Sequence, residues 1–153
     1  MQNPQYQTHT ILHATCVALD GRGVLILGAS GAGKSALGLE LMACGARLVA
    51  DDRTIVTRKE YRLIDTCPPA IHGLIEARGL GLLPADPVDH AEICLIVDLD
   101  RVTTERLPPK RHHTLLNVPI ALVFGATSRH FPFGVLQILR KKPLTKPEPN
   151  DQT

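Results

Sequence analysis

A mainly β, mixed α/β domain is the fold class this sequence predicts, and three features predict it. Short apolar runs of strand length alternate with turn signals along most of the chain. Two of these runs flank Asp20-Gly21-Arg22-Gly23, a tight-turn sequence that joins antiparallel strands and does not belong to a regular doubly wound sheet. One strand then runs through a glycine-rich loop into a segment with helical spacing.

Taken in order, residues 15–19 and 24–27 form the hairpin strands. Leu37, Leu41 and Cys44 recur at helical spacing and Gly45 follows as a cap, which predicts a helix over 34–44. Further strands are read at 47–50, 54–57, 62–64, 93–97 and 120–124, and a last short helix at 133–140. The polar residues 1–8 and the proline-rich residues 143–153 are expected to be frayed ends around one domain spanning 9–142. A chain of 153 residues and 16.6 kDa has room for one hydrophobic core and none for a second large domain. With no Trp and 3% aromatic residues, that core must rest on Leu, Ile, Val and Ala.

Composition excludes several functions. The net charge is +2, and the basic runs Lys110-Arg111-His112-His113 and Arg140-Lys141-Lys142 are too local for the broad positive face that nucleic acid requires. No apolar run approaches the roughly 20 residues of a membrane span, and the N-terminus has no charged-then-apolar leader, so a cytoplasmic protein away from membranes is expected. Cys16, Cys44, Cys67 and Cys94 are far apart without a C-x-x-C pair and read as reduced, mostly buried thiols.

The loop Gly28-Ala29-Ser30-Gly31-Ala32-Gly33-Lys34-Ser35 matches G-x-x-x-x-G-K-[ST] between a predicted strand and a predicted helix, the setting this motif needs. Its glycines let backbone N–H groups close around an anion, and the helix N-terminus adds its positive end. Lys34 can then reach the β- and γ-phosphates of a nucleotide, and the Ser35 hydroxyl can ligate Mg²⁺.

Such a loop needs an acidic centre to hold metal and to orient an attacking hydroxyl. Two candidates compete. Asp98 ends the apolar run Ile93-Cys94-Leu95-Ile96-Val97, the better pattern for a metal-binding strand-end aspartate, although strands often end in a polar turn. Asp51-Asp52 follow the strand 47–50; adjacent carboxylates repel each other's charge, which suits one base and one metal or hydrogen-bonding partner, and a solvated turn is the plain alternative. Weaker signals are Glu76-Ala77-Arg78-Gly79-Leu80-Gly81, either a loop salt bridge or a flexible catalytic segment, and His13, read at the start of the first strand. Arg129 could touch phosphate or only water, and His112-His113 are read as lining a solvated loop.

As a set these motifs resemble one family closely, the HPr kinase/phosphorylase family in its C-terminal catalytic domain. The resemblance runs from about His13 to Leu139 and carries His13, Gly21-Arg22-Gly23-Val24-Leu25, the glycine-rich loop, Glu40-Leu41 to Gly45, Leu48-Val49-Ala50-Asp51-Asp52-Arg53, Pro68-Pro69 and Glu76-Ala77-Arg78-Gly79-Leu80-Gly81 in order. It implies a P-loop domain with a mainly mixed and antiparallel sheet, similar to phosphoenolpyruvate carboxykinase. The implied activity is ATP- and Mg²⁺-dependent phosphorylation of a serine on HPr, the phosphocarrier of the sugar phosphotransferase system, by a possible homo-oligomer. By position, Lys34 resembles the phosphate-binding lysine, Ser35 and Glu76 the Mg²⁺ ligands, and Asp52 the proton acceptor with Asp51 beside it. His13, Arg78 and Arg129 resemble further active-site residues. Asp98 falls where the family pattern has no acid, so the resemblance favours Asp51-Asp52. Ala29 stands where the family has Asp, and Ser128-Arg129-His130 where it has Gly-Arg-Asn. The sequence turns proline-rich at Pro143 in place of the family's C-terminal helical segment, so the reverse, phosphate-consuming reaction is expected to be the weaker.

Overall fold

The computed structural model describes residues 8–140. Its elements are β1 (His9–Leu12), β2 (Thr15–Leu19), β3 (Arg22–Leu27), α1 (Lys34–Ala43), β4 (Arg47–Ala50), β5 (Thr54–Lys59) and β6 (Arg62–Thr66), then a 3₁₀ turn (Pro69–Ile71). They continue with β7 (Leu74–Ala77), β8 (Gly81–Pro84), β9 (His90–Val102), β10 (Arg111–Leu115), β11 (Val118–Gly125) and α2 (Phe131–Arg140).

The 13-residue β9 organises the main sheet. One edge pairs in parallel with β3, with Ile26 opposite Val97 and Leu27 opposite Asp98. The other edge is shared: His90, Ala91 and Glu92 pair antiparallel with β6, and Ile96, Val97 and Asp98 pair in parallel with β11. The full order is β1-β5-β6-β9-β3-β2-β4, with β10 outside β11 and the β7–β8 hairpin forming a separate small sheet. The parallel strands β3, β9 and β11 therefore end together. Antiparallel β2 begins at that end, Thr15 opposite Ile26, and β4 finishes there, Ala50 opposite Cys16. The topology thus brings the loop after β3, the start of β2 and the Asp51-Asp52 turn to one end of the sheet.

Period-two alternation sorts the side chains into two cores. Val24, Ile26, Leu95 and Val97 pack with Leu37 and Leu41 of α1 and with Val135, Leu136 and Leu139 of α2. Leu25, Ile96, Val56, Leu63 and Cys16 fill the opposite face, where the sheet curls until β4 touches β6. Each fully buried Leu or Ile contributes about 1.5–3 kcal/mol, so these two layers supply the main drive for the curl. Helix α1 closes with Gly45 at φ +112°, where Gly45 N–H donates to Met42 O and Ala46 N–H to Leu41 O. That paired pattern caps the last carbonyls and needs a left-handed residue after the helix.

Several sequence expectations change. His13 lies between β1 and β2, not at the start of the first strand. Residues 76–81 are no loose loop: Glu76 opposite Leu82 and Ala77 opposite Gly81 make a hairpin. His112 and His113 stand within β10, opposite Ala121 and Ile120, because β11 offers a partner that local composition does not reveal. Strand β9 runs well beyond 93–97 at both ends because its two edges take three partners. All four thiols are free, with Cys16 buried and the other three half-buried. Thr8, assigned to a frayed end, accepts a hydrogen bond from Arg58 N–H. The rest of the expected ends, 1–7 and 143–153, lie outside the described residues. No helix among the described residues is long and apolar enough to cross a membrane.

Candidate active site

The loop Gly28–Ser35 leaves β3 and winds into α1 through Gly31 at φ +86° and Gly33 at φ +103°. An Ala32 N–H to Ala29 O bond tightens it, and Asp100, at the end of β9, accepts the Ala29 N–H at 2.9 Å. Lys34 is 8% exposed, and its Nζ donates back across the loop to Gly28 O at 2.7 Å and Ala29 O at 3.1 Å. Among the described residues the N–H groups of Gly31 and Gly33 have no protein acceptor. A cation and free backbone donors on one glycine-rich loop make an anion cradle.

Asp51 and Asp52 occupy different environments. Asp51 is 4% exposed and accepts three hydrogen bonds: Thr15 Oγ1–H and Ser35 Oγ–H on Oδ1, each at 2.7 Å, and Glu76 N–H on Oδ2 at 2.9 Å. It therefore joins β2, α1 and β7 to the end of β4. Asp52 is exposed and carries φ +74°, and Arg53 N–H donates to Asp51 O across it at 2.8 Å. This is a γ-turn in the left-handed region, which costs a non-glycine residue on the order of 1–3 kcal/mol. The strained turn lifts the Asp52 carboxylate out of the sheet, and His13 Nε2 meets its Oδ1 at 3.0 Å.

His13, Lys34, Ser35, Asp51, Asp52, Glu76 and Arg78 all line a single open cleft of about 680 Å³. The β7–β8 hairpin forms its far wall, with Leu80 at the rim. Glu76 and Arg78 form no ion pair among the described residues, so the surface-salt-bridge reading fails and both face the cleft separately. Two candidates stand outside. Arg129 is exposed on the turn between β11 and α2, at the same end of the sheet but not in the cleft lining. Asp98 is likewise absent from the cleft lining: its neighbours Val97 and Leu99 pack in the helix-side core, so its own side chain lies on the other face of β9. There it accepts Asp100 N–H and faces Arg101 at 3.9 Å.

Sequence reasoning missed Thr15, Asp100, Thr54 and Asp65. Thr15 and Thr54 look like ordinary strand residues, and only the fold shows that each hydroxyl serves an aspartate. Asp65 carried a usable signal, since it shares strand parity with buried Leu63 and so points an acid inward. Burial raises its carboxyl to about 7 from 3.8, against the Thr54 hydrogen bond and the neighbouring Cys16 thiol, which pull it down. The same burial pushes the Cys16 thiol up, and that of Cys67 to about 11.

Residues 4–121 fit the family described as HPr Serine kinase C-terminal domain. The chain is 40% identical over 124 residues to HPr kinase/phosphorylase of Ralstonia nicotianae, covering 73% of this chain and 38% of that protein. It is 45% identical over 80 residues to HPr kinase/phosphorylase 1 of Oceanobacillus iheyensis, covering 52% of this chain and 26% of that protein. This chain thus spans well under half the length of these curated relatives. The solved structure of the Hpr(Ser) kinase/phosphatase from Coxiella burnetii aligns with a TM-score of 0.72 at 25% identity, over 86% of this chain and 88% of that one. With a match over most of its length and the same curled mixed sheet, the chain belongs to the HPr serine kinase C-terminal domain family.

Proposed function

We propose that this domain transfers the γ-phosphoryl group of ATP to a serine hydroxyl of an HPr-type phosphocarrier protein. The observation that carries this reading is the pairing of an anion cradle, Lys34 with the Gly31 and Gly33 N–H groups, with an exposed carboxylate, Asp52, lining the same cleft. A loop alone binds nucleotide; the carboxylate beside it supplies a base for an incoming hydroxyl. The names of the relatives supply the acceptor class.

The donor set fits a hard cation bound with nucleotide. Ser35 offers a hydroxyl oxygen whose proton is committed to Asp51, and Glu76 offers a carboxylate across the cleft. Ser35 and Glu76 would hold Mg²⁺, which supplies charge neutralisation on the phosphates when bound. Lys34 exchanges its bonds to Gly28 O and Ala29 O for phosphate oxygens. Asp52 takes the serine proton, with His13 steadying the carboxylate. Arg78, on the hairpin wall, offsets charge on the transferring group, and Arg129 reaches it only if the turn before α2 moves inward. Positioning and electrostatics carry most of the rate in such transfers.

The test is incubation of the chain with labelled ATP, Mg²⁺ and HPr from the same source. Serine-phosphorylated HPr is the expected product. ATP hydrolysis with no labelled protein would replace the reading with a small-molecule kinase or NTPase, and binding without turnover with a nucleotide-sensing module.

A further inference from the structure

Asp65 lies fully buried inside the curl of the sheet and outside the cleft. Thr54 Oγ1–H donates to its Oδ1, while Oδ2 has no partner among the described residues. A half-satisfied carboxyl in an apolar core opposes folding where a valine would not. Thr54 is equally buried and opens β5 two residues after Asp52. The strained turn at Asp52 is thus gripped on both sides. Upstream, Asp51 is fixed by three donors. Downstream, the next buried side chain is Thr54, and its anchor is Asp65.

We propose that Thr54 and Asp65 form a buried clamp that holds the left-handed turn at Asp52, and so act as positioning residues that aim the Asp52 carboxylate at the acceptor hydroxyl. The inference rests on reading Asp52 as the base. Both protonation states of Asp65 keep the link. Charged, the carboxylate accepts from the Thr54 hydroxyl; neutral, it donates to Thr54 Oγ1 and leaves that hydroxyl free for Thr66 O, 3.3 Å away. The elevated carboxyl of Asp65, about 7, means that both states are populated near neutrality.

Thr54→Val preserves shape and removes only the hydroxyl. Its expected signature is at least ten-fold faster hydrogen exchange at the Arg53 amide, which closes the turn, with the amides of Val56 and Leu63 unaltered. In the phosphotransfer assay kcat should fall ten-fold or more with KM for ATP unchanged. Thr54→Ser should restore both values and Asp65→Asn should stay close to wild type. In an Asp52→Asn background Thr54→Val should add no further loss, because the clamp works through Asp52. If Thr54→Val does not fold, Asp65→Val reads the same link from its other end. A folded Thr54→Val with wild-type Arg53 exchange and wild-type kcat overturns the clamp. A wild-type chain that leaves HPr unmodified removes the functional reading instead, and the Arg53 exchange then decides the clamp alone.

Discussion

At the scale of single residues, the site separates anchoring from chemistry. Lys34 is nearly buried, yet among the described residues its ammonium is held only by two loop carbonyls, so an incoming phosphate can replace them without breaking a buried ion pair. Lys34→Ala should therefore abolish ATP-dependent thermal stabilisation, which for wild type at a hundred-fold excess over Kd is worth about 2.7 kcal/mol. A thermal shift with and without Mg-ATP reads this directly. Asp51 and Asp52 differ more sharply, one saturated by three donors and the other exposed beside His13. Asn tolerates the left-handed region, so Asp52→Asn keeps the turn while removing the proposed base. It should retain Mg-ATP binding and lose about 10²–10⁴-fold in transfer. Asp98→Asn should leave transfer nearly unchanged, since that side chain faces away from the cleft; a dead but folded Asp98→Asn beside an active Asp52→Asn would reverse the assignment. The sequence made the loop legible because its residue types and spacing are the chemistry itself. It left Asp51-Asp52 against Asp98 open, because choosing between them needs strand parity and the resemblance had to stand in for it.

At the scale of elements, local signals succeeded where one segment determines its own structure. Helix α1 was readable from its spacing and from Gly45, and the structure ends it one residue earlier, at Ala43, with Cys44 as its cap. A Cβ added at Gly45 would meet nothing closer than Leu19 Cδ1 at 4.0 Å, so space does not restrict that position and backbone conformation does. Gly45→Ala should cost about 1–2 kcal/mol, the penalty of a left-handed conformation for a residue with a Cβ. Urea denaturation should show that loss, while kcat stays unchanged wherever the chain remains folded, because Gly45 lies at the far end of α1 from the loop. The β7–β8 hairpin and β10 were missed for the opposite reason. Each is short, exposed on one side and defined by a partner, as with Arg111 opposite Leu122 and Glu76 opposite Leu82. A strand of that kind has too few buried residues to show alternation on its own.

At the scale of the whole molecule, β9 and the curl set which acids face the cleft and which are sealed inside. Asp65 is the sealed one, and its cost should be measurable as pH-dependent stability. In the unfolded chain its carboxyl titrates at 3.8, and in the folded chain burial raises it to about 7. Between those values the folded domain retains a proton that the unfolded chain has released, so rising pH favours unfolding; below 3.8 and above about 7 the contribution is level. The Cys16 and Cys67 thiols near it are pushed upward and stay neutral across this window, so they add no opposing charge. From pH 5 to pH 8 the loss attributable to Asp65 should be about 2–3 kcal/mol, taking 1.36 kcal/mol for each unit of displacement. Seven histidines titrate over the same range, so the informative quantity is the difference between wild type and Asp65→Asn. Urea unfolding of both at pH 5 and pH 8 should find the variant gaining on wild type by that amount at the higher pH. Parallel curves at the two pH values would mean that Asp65 is solvated in the folded chain, and the interior of the curl would then be wetter than its packing indicates.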